Sequence, residues 1–333
     1  MSYVVAVLGA SGLVGREMVA TLERRHFPVR KLVLLATARS AGARVPFRGE
    51  ELIVEAVGPD SFKGVDIALF SAGGGPSLEI APQAAAAGAV VIDNSSAWRQ
   101  HPQVPLVVPE VNMDAAAVRP LGIIANPNCS TIQMVVALKP LHDAAKLEHI
   151  VVSTYQSVSG KGKAAVDELW ASTKALAAGT PFEPSVFPGP IAMNLLSDWK
   201  PGTDNYSEEE WKMVHETRKI LEDDTIGVSP TTVRVPVPFA HAESVFARFR
   251  RPMSVKEAHD LLRNAPGVVL SEVPYKPGDH PQPAAAAGTD PVYVGRIRAD
   301  LAVPGALNLW IVADNIRKGA ALNAVQIAEQ LAL

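Results

Sequence analysis

Short apolar runs alternate with amphipathic stretches along the first third of the chain. "YVVAVLGA" (3–10), "KLVLLAT" (31–37), "DIALFSA" (66–72), "AVVIDNS" (89–95) and "LGIIANP" (121–127) are apolar through their centres, as strands buried on both faces are. Between them, "GLVGREMVATLERR" (12–25) repeats apolar positions at helical spacing, and the alanine-rich 76–87 is a second helix. Buried strands separated by helices predict a parallel sheet with both faces covered. Further on the pattern predicts helices over 130–145, 163–178, 207–221 (Ser207 as cap), 254–267 (Ser254 as cap) and 316–332. Strands are predicted over 149–160, 231–239, 243–249, 291–301 and 306–314. Residues 179–207 read as a long excursion and 276–291 as a loop of biased composition.

A length of 333 residues suits about two domains, and 48% hydrophobic with 20% charged residues supplies real cores. The net charge of −3, without a block of one sign, argues against nucleic acid or a membrane surface as partner. The longest apolar run, Ala84 to Ile92, falls short of the roughly 20 residues that span a bilayer. The N-terminus lacks a signal-peptide pattern. One cysteine excludes an intrachain disulfide, so the reducing cytoplasm is the expected compartment.

"GASGLVG" sets Gly9, Gly12 and Gly15 between a buried strand and a helix. That context suits a dinucleotide pyrophosphate lying on the helix N-terminus, with Ser11, Leu13 and Val14 beside it. Enzymes that use NAD place a carboxylate about 20 residues on. None occurs from Lys31 to Phe47; Thr37, Arg39 and Ser40 stand there, and they suit the 2′-phosphate of NADP. A tight turn without a ligand is the bland alternative.

Cys129, in "IIANPNCSTIQM", follows a strand and opens a helix. Backbone N–H groups at a helix N-terminus stabilise a thiolate, and the strand end is where open α/β sheets bind ligands. An inert buried thiol is the competing reading. Of eight histidines, His26, His142, His149, His215 and His259 look like surface residues, and His101 and His280 lie in loops. His241 differs: it follows "VRVPVPFA" in an apolar stretch with small neighbours, where by itself a structural histidine is the commoner reading, since composition does not place it beside Cys129.

The residues also match a family. "GASGLVG" (9–15), "ATARSAG" (36–42), "DNSSAWR" (93–99), "NPNCST" (126–131), "YQSVSGKG" (155–162), "EEWKMVHETRKIL" (209–221), "RVPVPFAHAES" (234–244) and "DNIRKGAALNAVQIAE" (314–329) together resemble aspartate-semialdehyde dehydrogenases over nearly the whole chain. The resemblance implies an α/β fold: a Rossmann-like NADP-binding domain (1–128 with 315–333) and an α/β catalytic and dimerisation domain (129–314). It implies a cytoplasmic homodimer without a metal. The implied reaction reduces L-aspartyl 4-phosphate with NADPH through a cysteine thioester, releasing inorganic phosphate. Such a step serves lysine (by way of diaminopimelate), threonine and methionine biosynthesis.

By the same resemblance Cys129 is the nucleophile and His241 the acid/base, with Gln156 and Asn128 assisting. Arg99 and Lys212 bind phosphate, Glu209 the substrate amino group and Arg234 its carboxylate. Glu209 and Lys212 also read as an ordinary i,i+3 ion pair. Ser159, Gly160 and Asn315 lie toward the cofactor. "MNLLSDW" departs from the family at Ser197, where proline is usual. Rivals are an N-acetylglutamyl-phosphate reductase, which leaves Glu209 without an ammonium partner, a non-catalytic NADP-binding paralogue, and a cysteine hydrolase, which leaves the glycine loop unexplained.

Overall fold

The computed structural model describes residues 2–197, 199–271 and 276–332. Asp198 in the excursion and Leu333 at the end of the predicted first domain lie outside the described residues. The chain divides into two units, 1–128 with 320–333, and 129–319. The return crossing falls at Ala320 rather than 315, because residues 314–319 stay bonded within the second unit.

The first unit holds β1 (Tyr3–Leu8), α1 (Leu13–Arg24), β2 (Val29–Ala36), β3 (Arg44–Phe47), β4 (Glu50–Ile53), β5 (Glu55–Ala56), β6 (Ile67–Phe70), α2 (Gly74–Ala86), β7 (Val90–Asp93), the short α3 (Pro109–Asn112) and β8 (Ile123–Ala125). Its six-stranded sheet runs β5-β2-β1-β6-β7-β8, parallel throughout. The central strands are apolar at every position because helices cover both faces, so alternation would serve nothing. Met18, Val19 and Leu22 of α1 meet Val5, Val7 and Leu69 of the sheet in one core.

The second unit holds α4 (Cys129–Ala145), β9 (Leu147–Gln156), α5 (Lys163–Ala178), α6 (Glu208–Leu221), β10 (Gly227–Arg234), β11 (His241–Phe249), α7 (Val255–Arg263), β12 (Val268–Leu270), α8 (Pro283–Ala286), β13 (Val292–Ala299) and β14 (Leu307–Ala313). The sheet order is β10-β9-β11-β14-β13-β12, parallel at its two outer pairs and antiparallel between. α4, α6 and α7 pack on it. α6 starts where predicted, with a full capping box: Ser207 Oγ accepts from Glu210 N–H, and the Glu210 carboxylate accepts from Ser207 N–H.

Several boundaries move: β9 is Leu147–Gln156 rather than 149–160, and α7 is Val255–Arg263 rather than 254–267. β10 spans 227–234 rather than 231–239, since Pro236 and Pro238 lack the N–H a strand donates. β11 begins at His241, two residues before the predicted start. The closing segment enters through a π-helical turn, Arg317–Ala321, before α9 (Leu322–Ala332) returns to the first unit. The Asp314 carboxylate accepts from Ile316 and Arg317 N–H and sets that entry. Among the described residues no helix is long and apolar enough to cross a membrane.

Gly15 shows how tightly the first turn is drawn. A Cβ there would lie 2.1 Å from the Gly9 carbonyl oxygen. Gly15→Ala must push β1 and α1 apart, at about 1–3 kcal/mol for overpacking. We expect an earlier first transition in thermal unfolding, with the second unit's transition unmoved.

Candidate active site

Alternation along three adjacent strands builds the centre of the second unit. Gln156 ends β9 and pairs with Arg234, which ends β10; His241 opens β11. Side chains on one face of neighbouring strands lie abreast, so the three polar groups share the face that α4 covers. All three are at most 1% exposed.

Cys129 is the first residue of α4, directly after Asn128 of the first unit. Its Sγ lies 3.2 Å from His241 Nε2. A Cβ on Gly319 would come within 2.8 Å of the Cys129 Cβ, so only glycine lets the π-helical turn pass the thiol. His241 Nδ1 faces both the Ser157 N–H and the Ser157 hydroxyl, each at 3.0 Å. The Ser157 N–H donates to Nδ1, so the neutral ring carries its proton on Nε2 and donates it toward the sulfur. Burial, then the nearby Arg234 charge, pushes the imidazole pKa down to about 3, so His241 is neutral at pH 7.

Asn315 supports this arrangement. Its Oδ1 accepts from the Ser157 and Ser159 hydroxyls and from Ala240 N–H. Ala240 has φ +68°, a left-handed conformation that turns the chain into β11 at His241. The sequence places Asn315 and Ser159 toward the cofactor; the structure ties both side chains into the support of His241.

Glu209, on the first turn of α6, is 4% exposed. It accepts from Gln156 Nε2 at 3.0 Å and from Lys212 Nζ at 2.9 Å. Thr154 Oγ1 donates to Gln156 Oε1, which settles the amide's orientation. Lys212 keeps about a third of its side chain in solvent. Arg234 Nη1 donates to the Ser157 carbonyl at 2.9 Å, and Gly160 is closely packed beside it.

The remaining candidates lie in the first unit. Arg99, 8% exposed, donates from Nε to the Asn126 carbonyl and from Nη2 to the Asn94 carbonyl. Asn126 is itself held by Asn94 and by Asn323 of α9. This asparagine chain fixes the residues before Cys129, and Asn128 is buried at 5%. At the same carboxyl edge of the parallel sheet, nearer its middle, Gly9 to Gly15 form the β1–α1 turn. Gly12 offers α1 no side-chain cap and no acidic residue sits in its first turn, so its N–H groups stay available to an anion, with Ser11, Leu13 and Val14 at the turn. Thr37 and Arg39 are exposed and Ser40 half-buried just past β2. Parallel pairing also sets Glu55 abreast of Leu35, a carboxylate near the β2 end that the linear sequence does not reveal. Among the described residues no group of His, Cys, Asp and Glu is placed to hold a metal.

Two histidines read as surface residues are buried: His142 at 3% and His259 at 4%. His142 Nδ1 accepts from Leu147 N–H at the α4–β9 junction, a structural use. Sequence reasoning missed Ser157, Thr154 and Gly319. No spacing rule marks them, since each acts only on a neighbour that the fold brings close.

A profile described as semialdehyde dehydrogenase, NAD binding domain, matches residues 4–118, and one described as semialdehyde dehydrogenase, dimerisation domain, matches 138–318. The chain is 52% identical over 335 aligned residues to an aspartate-semialdehyde dehydrogenase of Aquifex aeolicus, covering 99% of this chain and 98% of that one. It superposes at a TM-score of 0.96, with 48% identity and coverage of 100% and 98%, on Vibrio cholerae aspartate semialdehyde dehydrogenase II solved with ASA. The Candida albicans enzyme solved with NADP matches at a TM-score of 0.78 and 25% identity, over 100% and 99% of the two chains. The matched lengths and the 52% identity place the chain in the aspartate-semialdehyde dehydrogenase family.

Proposed function

We propose that the protein catalyses the reversible NADP-dependent reductive dephosphorylation of L-aspartyl 4-phosphate to L-aspartate 4-semialdehyde. The observation that carries the reading is the 3.2 Å contact of Cys129 Sγ with His241 Nε2 at the start of α4. A thiol so placed has a proton partner and the helix N–H groups.

Cys129 Sγ bonds to the acyl carbon as the bond from that carbon to the phosphate oxygen breaks. Sulfur attacks as the thiolate that the His241 Nε2–H holds, and the departing phosphate takes up one proton from water and is bound by Arg99 and Lys212 as charge-assisted donors. Bound NADPH supplies the hydride that reduces the thioester. The carbonyl then re-forms, the carbon–sulfur bond breaks, and sulfur keeps the electron pair as the thiolate. Gln156 and Asn128 orient the acyl group. Glu209 takes the substrate ammonium and Arg234 the carboxylate, opposite charges suited to the two ends of an amino acid.

The glycine turn and the uncapped start of α1 suit a pyrophosphate. Thr37, Arg39 and Ser40 favour the 2′-phosphate, and the Candida relative solved with NADP supports that preference. Ser159 and Gly160 line the approach toward the nicotinamide, with Asn315 behind them. The protein acts as a cytoplasmic homodimer. On the second sheet Val151 and Tyr155 are 41% and 36% exposed, and the Tyr155 ring packs at a tilt against Trp310 with centroids 5.5 Å apart. A second copy would cover that face, consistent with the profile's description as a dimerisation domain.

Phosphate-dependent reduction of NADP by aspartate semialdehyde is the direct assay. Cys129→Ser should lower that rate at least a thousandfold while dinucleotide affinity, read by fluorescence titration, stays the same; a variant near the wild-type rate would overturn the mechanism. Arg39→Ala should raise KM for NADP at least tenfold more than KM for NAD. Equal changes would place the 2′-phosphate elsewhere.

Neutral burial of His241 also sets a pH dependence. Its pKa falls from 6.5 in the unfolded chain to about 3 in the native one. Between those values the unfolded state binds the extra proton, so stability is lost as pH falls, by about 1.4 kcal/mol per unit. Urea unfolding at pH 7 and pH 5 should show His241→Asn losing roughly 2 kcal/mol less than wild type over that interval.

A further inference from the structure

The proline-rich excursion of 179–207 is anchored at several points. The Glu168 carboxylate on α5 accepts from the N–H groups of Ser185, Val186 and Phe187 and from the Ser185 hydroxyl. Phe187 and Ile191 pack with Val158, Ala165 and Leu169, and Leu196 lies against them. Leu196 then exchanges two backbone hydrogen bonds with Arg234, at 3.0 and 2.7 Å.

That bridge delivers Trp199. Its indole lies over the Arg234 guanidinium, with Cζ 4.2 Å from the ring centroid. Its Nε1 donates to the Thr232 carbonyl at 3.2 Å, which fixes the ring against β10. Nη1 of the same arginine donates to the Ser157 carbonyl, and a Cβ on Gly160 would come within 3.0 Å of it. The guanidinium plane is thus set on one face by an aromatic ring and at one nitrogen by a carbonyl. A fork that grips a carboxylate with two parallel bonds depends on that plane. Attraction to an indole face is strongest where water is excluded, and Arg234 is 1% exposed.

We propose that Trp199 is the positioning residue of the carboxylate-binding arginine, so that preference for an aldehyde bearing an α-carboxylate depends on an indole outside the reacting centre. The inference rests on the proposed role of Arg234. It gives the excursion a use, and it lies two residues past Ser197, where the chain departs from the family pattern.

The test compares aspartate semialdehyde with 3-aminopropanal, the same aldehyde without the carboxylate. In Trp199→Leu the kcat/KM ratio of the two substrates should fall about tenfold. The fall should come through KM for aspartate semialdehyde, with kcat within about threefold. Trp199→Phe, which keeps a ring face, should retain most of the ratio. A merely structural residue would lower both substrates together, and that result, or an unchanged ratio, overturns the proposal. If the leucine variant does not fold, fluorotryptophan incorporated into the wild type weakens the ring's attraction without changing its shape. KM for aspartate semialdehyde should then rise in wild type and not in Trp199→Phe; no rise overturns the inference. A wild-type enzyme that turns over aspartate semialdehyde without preferring it would instead remove the role of Arg234, and this proposal with it.

Discussion

A neutral imidazole sealed from water against a sulfur is the constraint the second unit is built around. Burial alone would leave a histidine with unmet polar atoms, at a cost of about 1–3 kcal/mol for each group. His241 escapes that cost because Cys129 meets Nε2 and Ser157 meets Nδ1. Those contacts in turn need Ala240 at positive φ, a conformation that costs of order 1–3 kcal/mol. Asn315 holds it there through the Ala240 N–H, the same oxygen that fixes Ser157 and Ser159. Strain, tautomer choice and proton partner are therefore settled by one buried amide oxygen.

The sheet then spreads the geometry sideways. His241, Gln156 and Arg234 belong to three strands, and strand register alone puts them abreast. One step down the same face, Glu243 is fully buried, two residues along β11 from His241. Burial pushes its carboxyl pKa well up, with Gln133 of α4 beside it. Gln133 is one helical turn past Cys129, so the thiol–imidazole pair has a second polar pair beneath it. A charge at Glu243 would sit in low dielectric; at His241 the Arg234 cation opposes imidazolium and the Glu209 carboxylate partly offsets it.

Much of the fold could be read from the chain. Continuous apolar runs mark β1, β2, β6, β7 and β8, and Ser207 and Ser254 cap α6 and α7 as their types suggest. β4, β12 and α8 bury few residues and carry no strong period, and β3 alternates with Val45 and Phe47 inward but spans only four residues and contains Pro46, so the chain pattern does not mark them. The pairing of Cys129 with His241 spans 112 positions. No local pattern encodes such a contact, and only the resemblance suggested it. His142 and His259 failed for a related reason: polar sequence neighbours say nothing about which helix face is turned inward.

Glu209 and Lys212 mark where local rules stop working. At i,i+3 on a capped helix they read as a surface pair worth a few tenths of a kcal/mol. The carboxylate is in fact buried against Gln156, while the ammonium stays partly in water. A buried carboxylate pays for desolvation that a half-exposed lysine only partly offsets. Stability alone would therefore favour an uncharged side chain at 209. A carboxylate at 209 fits the ammonium of the proposed substrate, as the guanidinium of Arg234 fits its carboxylate.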